Sequence, residues 1–315
     1  MSMTRVSGSL TPEKGKSMEL NSAVLRSAGI GFNASFQQGL GSATSLYQRV
    51  ATIVNSTTAS NEYGWLGKAP RFREWIGDRV INAMTKSGYT LKNRSFENTI
   101  GVDRTDFEDD NLGIYGPLFQ ELGNSASTFP DELVFALLKV AFTSLCYDGQ
   151  YFFDTDHPVL DENGKLINVA NTDGGNGTPW FLLDVSRPLK PLIYQNRKPF
   201  TNLVRKDKED DDNVFFRKEY IYGVDGRCEV GFGFWQQAWG SKQTLDVAHY
   251  EAARAALTGM KGDFGRPLGI MPSLLVVPPS LEGAAKRIVQ SILVNGGESN
   301  PWANTAEVMV VPWLA

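Results

Sequence analysis

Cysteine and histidine are scarce in this chain of 315 residues, with two of each. Cys146 and Cys228 stand far apart, which is no metal-ligand spacing and points to a reducing compartment rather than a disulfide framework. With His157 and His249 as the only imidazoles, no paired-histidine zinc motif exists, and no serine nucleophile elbow is present. Gly231-Phe232-Gly233-Phe234 lacks the third glycine and the following helix of a dinucleotide-binding turn. No run of eighteen apolar residues occurs, so nothing is predicted to span a bilayer, and the first twenty residues lack the apolar stretch of a secretory signal. A basic excess is missing too: 31 Lys and Arg face 35 Asp and Glu, a net charge of -4. That excludes a dedicated nucleic-acid binder, which carries a basic stripe. What remains is an ordered composition, 42% apolar and 21% charged, long enough for a large core and more than one lobe.

The densest chemistry lies in Asp103-Arg104-Thr105-Asp106-Phe107-Glu108-Asp109-Asp110. Asp106, Glu108, Asp109 and Asp110 offer hard oxygen ligands of the kind calcium and magnesium take. The spacing lacks the glycine and distal glutamate of a helical-hand calcium loop, so the favoured reading is an acidic turn beside a helix start, where anions meet the helix dipole, or a set of ion pairs to a neighbouring subunit. Asp154-Thr155-Asp156-His157-Pro158 places an imidazole beside carboxylates, a pattern able to serve as a base or a metal ligand. A metal-dependent hydrolase using Asp106, Asp154 and His157 is the catalytic alternative, but a structural Asp-His-Pro turn is favoured. Lys190, Arg197, Lys198, Arg205 and Lys206 form a modest basic stretch, offset by Asp207 to Asp212, and this charge-patterned segment suits pairing with another subunit.

Periodicity predicts a weak helix within 22–40, extended structure over 89–102, and a helix from Pro130 to Cys146 with Asp131 and Glu132 in its first turn. Ile114 to Leu122 reads as an earlier helical piece interrupted at Gly123. Phe181 to Leu183 is a buried strand, Lys206 to Asn213 a solvated loop, and Tyr220 to Trp239 strands in which glycine beside an aromatic permits close approach. Asp246 caps a helix to about Leu257. Leu274 to Val277 and Val308 to Val311 are apolar, β-branched strands closed by prolines, both expected to be buried. Between them Ser280 caps a helix carrying Ala284, Ala285, Ile288, Val289 and Ile292 on one face. The seven tryptophans, several beside glycine or proline, suit either a core or buried partner surfaces.

Long segments then point to one family. NSTTASNEYGWLGKAPRFREWIGDR, FENTIGVDRTDFEDDNLGIYGPLFQELG, PDELVFALLKVAFTSLCYDGQYFFDTDHP, TPWFLLDVSRPLKPLIYQNRKP and NPWANTAEVMVVPWL resemble the major head (capsid) subunits of Mu-type tailed phages and Mu-like prophages. The likeness covers most of the chain beyond about residue 45. It implies an α+β protein with the Hong Kong 97-type phage major capsid fold: an N-terminal arm, an extended two-stranded loop, a spine helix and an axial α/β lobe. On this sequence it implies an arm at 1–55, the extended loop and the start of the peripheral domain at 56–100, the peripheral domain with spine helix at 101–179, a strand-rich segment open to either lobe at 180–243, and the axial domain with a C-terminal strand at 244–315. The implied function is self-assembly into a virion shell in the bacterial host cytoplasm. The resemblance also implies hexamers and pentamers of this chain, with scaffold, portal and decoration partners. Packaged double-stranded DNA is enclosed without sequence preference, and neither a cofactor nor an enzymatic activity is implied. Trp65, Trp75, Arg73, Asp106, Glu108, Asp109, Arg197 and Lys198 are the candidate inter-subunit contacts, and Gly88, Gly101, Gly113 and Gly116 the candidate flexible joints. An encapsulating nanocompartment shell, holding protein cargo, is the alternative within the same fold.

Overall fold

Short apolar strands and amphipathic helices alternate along the chain. The computed structural model describes residues 22–64, 66, 88–109, 111–294 and 297–315. The expected arm before residue 22, Trp65, Arg73, Trp75, residues 67–87 of the expected extended loop and Asp110 lie outside the described residues. The helices are α1 (Ser22–Ser42), α2 (Tyr47–Val50), α3 (Arg104–Glu108), α4 (Tyr115–Lys139), α5 (Asp212–Arg217), α6 (Val247–Thr258) and α7 (Glu282–Val289). The chain divides into two units, each gathered from three stretches. Unit 1 takes Met1–Ser42, Asn98–Asn124 and Thr201–Val224, and unit 2 takes Ala43–Glu97, Ser125–Phe200 and Asp225–Ala315.

Unit 1 has an aromatic core. Phe32 of α1 stacks on Phe119 of α4 with ring centroids 4.4 Å apart and meets Tyr222 edge-on at 5.2 Å. Phe107 of α3 meets Tyr220 edge-on at 4.9 Å. Such pairs add directional preference to the burial of large apolar area. The helices approach backbone to backbone: a Cβ on Gly39 would lie 1.8 Å from the carbonyl oxygen of Gln120, and one on Gly123 would lie 2.0 Å from that of Phe36. The expected break at Gly123 is therefore corrected. α4 runs unbroken, and Gly123 is small because a neighbouring helix needs the space. The expected helix start at Pro130 is corrected as well, since Pro130 lies inside α4 and the helix ends at Lys139 rather than Cys146. An interior proline removes one helix hydrogen bond. The buried Phe119 and Leu122 before it, and Val134, Phe135 and Leu138 after it, hold the turns on either side. Opposite these helices in sequence, the strand Leu203–Lys206 pairs antiparallel with the first part of Glu219–Phe232, from Leu203 against Val224 to Lys206 against Ile221. The charged run joining them is mostly exposed, and its last residues already belong to α5.

Unit 2 is built on a five-stranded mixed sheet ordered Glu307–Val310, Leu274–Val277, Trp180–Leu183, Ala238–Lys242, Thr172–Gly175. Every residue of Trp180–Leu183 and Leu274–Val277 is buried, as four-residue apolar strands inside a sheet require. Glu307–Val310 is an edge strand, so Met309 is its one buried residue. Of the strand expected over Val308–Val311, Met309 and Val311 are buried and Val308 and Val310 half-buried, so the expected burial holds at alternate positions. Asp246 caps α6, accepting the His249 N–H at 2.9 Å. Ser280 does not cap α7. A 3-10 turn over Pro279–Leu281 intervenes, α7 starts at Glu282, and Ile292 falls beyond its end with 71% exposure. Elsewhere in unit 2, Ala51–Asn55 runs parallel to Leu192–Lys198, which pairs antiparallel with Arg227 to Phe232.

Candidate inter-subunit surface

The acidic segment is a capped helix rather than a free turn. Asp103 precedes α3 and accepts from the Thr105 N–H and Oγ1, both at 2.8 Å, which lowers its pKa. Asp106 accepts the Tyr115 hydroxyl at 2.5 Å and Asn111 Nδ2 at 3.2 Å, so it ties α3 to the start of α4. Glu108 pairs with Arg104 at 3.0 Å, and Arg104 also reaches Glu209 at 3.3 Å. Asp109 is exposed, with no side-chain partner among the described residues. In unit 2, Lys198 pairs with Asp225 at 2.5 Å. Arg197 is exposed on the same strand, without a partner among the described residues.

The described ends of the segment expected to form the extended loop lie in unit 2. Its two legs, Ser60–Glu62 and Thr90–Lys92, pair antiparallel, from Ser60 against Lys92 to Glu62 against Thr90. The clamp beneath them is polar and buried. Gln195 Oε1 accepts the Tyr63 hydroxyl at 2.7 Å, while its Nε2 donates to Asn93 Oδ1 at 2.7 Å and to the Leu91 carbonyl at 3.2 Å. Asn93 Nδ2 donates to the Thr58 carbonyl at 2.9 Å and to Ser56 Oγ at 3.1 Å. Around it Tyr63, Leu66, Leu91, Ile193 and Phe234 form an apolar cluster. Gly231 brings its strand against this base, since a Cβ there would lie 2.5 Å from Leu91. The expectation that glycine beside an aromatic permits close approach holds at this position. A satisfied buried network of this kind fixes one geometry, because each member left unpaired is penalised. Gln195 and Asn93 carried no sequence signal. Nothing in a lone Gln on an apolar strand announces that it is the hub.

The residues of the catalytic alternative have structural employment. His157 is fully buried, stacked on Trp235 with centroids 3.9 Å apart, and its Nδ1 lies 2.8 Å from Asp148 Oδ2. Cys146 Sγ donates to Asp148 Oδ1 at 3.0 Å. Cys146, Asp148 and His157 bring three ligand-type atoms within 4.8 Å of one another. Burial pushes the Cys146 thiol well up, which favours the proton-bearing form that donates to Asp148 over the thiolate a metal takes. Asp154 spends its carboxylate on the Tyr151 and Thr155 amides. Asp106 belongs to unit 1, Asp154 and His157 to unit 2. Of the tryptophans, Trp180, Trp235 and Trp239 are core residues of unit 2, and Trp302 and Trp313 are half-buried.

Comparison with known proteins decides the family. The model of the "Mu-like prophage major head subunit gpT" family matches residues 25–314. The chain belongs to this head-subunit family. The major capsid protein of Escherichia phage Mu is 44% identical over 288 residues, 89% of this chain and 94% of that protein. The procapsid of bacteriophage JBD30 superimposes with a TM-score of 0.83 at 49% identity, covering 93% of this chain and all of that one (100%). The JBD30 capsid decorated with minor capsid protein trimers gives a TM-score of 0.73 at 38% identity, over 88% and 93% of the two chains. The head subunit thus has the Hong Kong 97-type phage capsid fold. It is a major head subunit, a structural protein whose copies assemble the shell of a Mu-like phage head. The family match favours the phage head over the nanocompartment alternative. Among the described residues, no helix is long and apolar enough to cross a membrane.

Proposed function

We propose that the head subunit works through limbs shared between copies: an arm at 1–55, the extended loop within 56–100, the spine carried by α4, and an axial lobe at 244–315 that rings the local symmetry axes of hexamers and pentamers. What supports the reading is the clamp at the loop base. Gln195, Asn93 and Tyr63 hold the two legs of the hairpin in one geometry on the strand Leu192–Lys198, as a limb that must meet a neighbour at a set angle requires. Asp109 and Arg197 are the contact residues best placed among the eight named, being exposed and unpaired among the described residues. Trp65, Arg73 and Trp75 lie outside the described residues. Asp106, Glu108 and Lys198 already have partners within their own units, so their contribution across a subunit boundary is secondary.

Assembly proceeds in the host cytoplasm on a scaffold and around a portal. Decoration by a second protein follows by analogy with the trimers on the JBD30 capsid. The inner wall touches DNA without reading sequence, consistent with a net charge of -4 and with contacts that go to the phosphate backbone. Nuclease treatment of particles from cells producing the whole phage tests this. Protected double-stranded DNA is the expected content, and a protein cargo without DNA would favour the nanocompartment.

A further inference from the structure

Among the described residues, the most exposed large apolar side chains are Phe215 and Phe216, at 78% and 76%. They are neighbours on α5, with perpendicular rings 5.0 Å apart. The segment that carries them is nevertheless firmly built. Val214 between them and the core is buried. Asn213 Nδ2 donates to the carbonyls of Lys206 at 3.2 Å and Glu219 at 2.7 Å, closing the base of the loop. Lys218 ends α5 in the left-handed conformation, φ 56°, with its N–H on the Asn213 and Val214 carbonyls. Glu209 accepts the Tyr220 hydroxyl at 2.5 Å and pairs with Arg104. A fixed platform presenting two aromatic rings loses little order on docking, which is what a contact surface requires.

The charges around the rings indicate the occupant. Asp210 and Asp212 stand at the head of α5 and Arg217 at its tail, all exposed and without an ion-pair partner among the described residues. A partner of one charge sign would be repelled at one end. An identical element turned head to tail satisfies both. We propose that α5 docks on the α5 of a second copy of the head subunit: Phe215 and Phe216 bury against their counterparts, and Asp212 of one copy faces Arg217 of the next. A patch that meets its own counterpart in this way makes an isologous contact, with a two-fold axis between the two copies. The proposal rests on the head-subunit reading and adds to it a surface outside the extended loop.

The test compares F215S/F216S, D212R, R217D and the swap D212R/R217D with wild type, reading shell yield by sedimentation and negative-stain imaging. All four side chains are exposed, so each unassembled variant should keep the wild-type circular dichroism and melting temperature. The aromatic double variant and each single reversal should lose about tenfold or more in shell yield, and the swap should recover most of it. In intact shells F216C should give cross-linked dimers with a short bismaleimide, while wild type, whose Cys146 and Cys228 are buried, should stay monomeric on a denaturing gel. Wild-type yield from F215S/F216S, a swap no better than its single reversals, or F216C that stays monomeric in shells would overturn the proposal. Loss of only a second protein from otherwise normal shells would overturn it too. Wild-type protein that forms no particle under any of these conditions counts against the head-subunit reading itself and takes the proposal with it.

Discussion

Asp131 has no exposed surface, and its carboxylate accepts from the Leu46 N–H at 2.9 and 3.0 Å and from the Tyr47 N–H at 2.6 Å. It caps α2 from the middle of α4. By its sequence neighbours it reads as a first-turn residue favouring a helix dipole, because Pro130 beside it imitates a helix start. The partners that give it its role are some 85 positions away and leave no local trace. Asp131→Ala strips those amides of their acceptor and should destabilise the unassembled subunit by about 1–3 kcal/mol in urea unfolding. Burial raises the carboxyl pKa against the opposing pull of the two amides. The folded state then holds this proton at pH values where the unfolded chain, near 3.8, has released it. Stability contributed by the group therefore falls as pH rises through the window that starts there. Asp131→Asn removes that slope. The wild-type minus Asn difference in unfolding free energy should decline from about pH 3.8 upward and then level off; a difference flat across that range would contradict the assignment.

At the scale of elements, α1 and α4 carry the sharpest steric demand. Gly123→Ala and Gly39→Ala force a methyl into a neighbouring backbone, and each should cost about 1–3 kcal/mol despite alanine's better helix propensity. Gly31→Ala, also in α1 but with nothing within 4 Å of its Cβ, should instead stabilise by about 0.5–1 kcal/mol. Thermal melts of the three variants check both signs. The same pair of helices marks the limit of what sequence reveals. α6 and the strand Leu274–Val277 were legible, because a capping aspartate and a β-branched run closed by two prolines are local signals. α4 was not, because its two misleading residues, Gly123 and Pro130, are overruled by packing on both flanks. At the candidate surface, the charge pattern of 103–109 was visible, but the internal pairing of Asp106 with Tyr115 and Glu108 with Arg104 depends on α3 forming where an open turn was expected.

For the whole molecule, the composition and the limbs agree. A net charge of -4 leaves copies free to approach under physiological screening. The aromatic pair on α5 presents surface that this chain's own described residues do not cover. Association in such a shell is the sum of many repeated contacts whose geometry closes. It should therefore be steeply dependent on concentration. The most direct measurement is sedimentation velocity of the purified full chain across a concentration series. The account predicts that monomer gives way to rings and closed or tubular particles as concentration rises; a compact monomer that persists to the highest concentration, with amides of the loop legs as protected from exchange as those of the core, would contradict it.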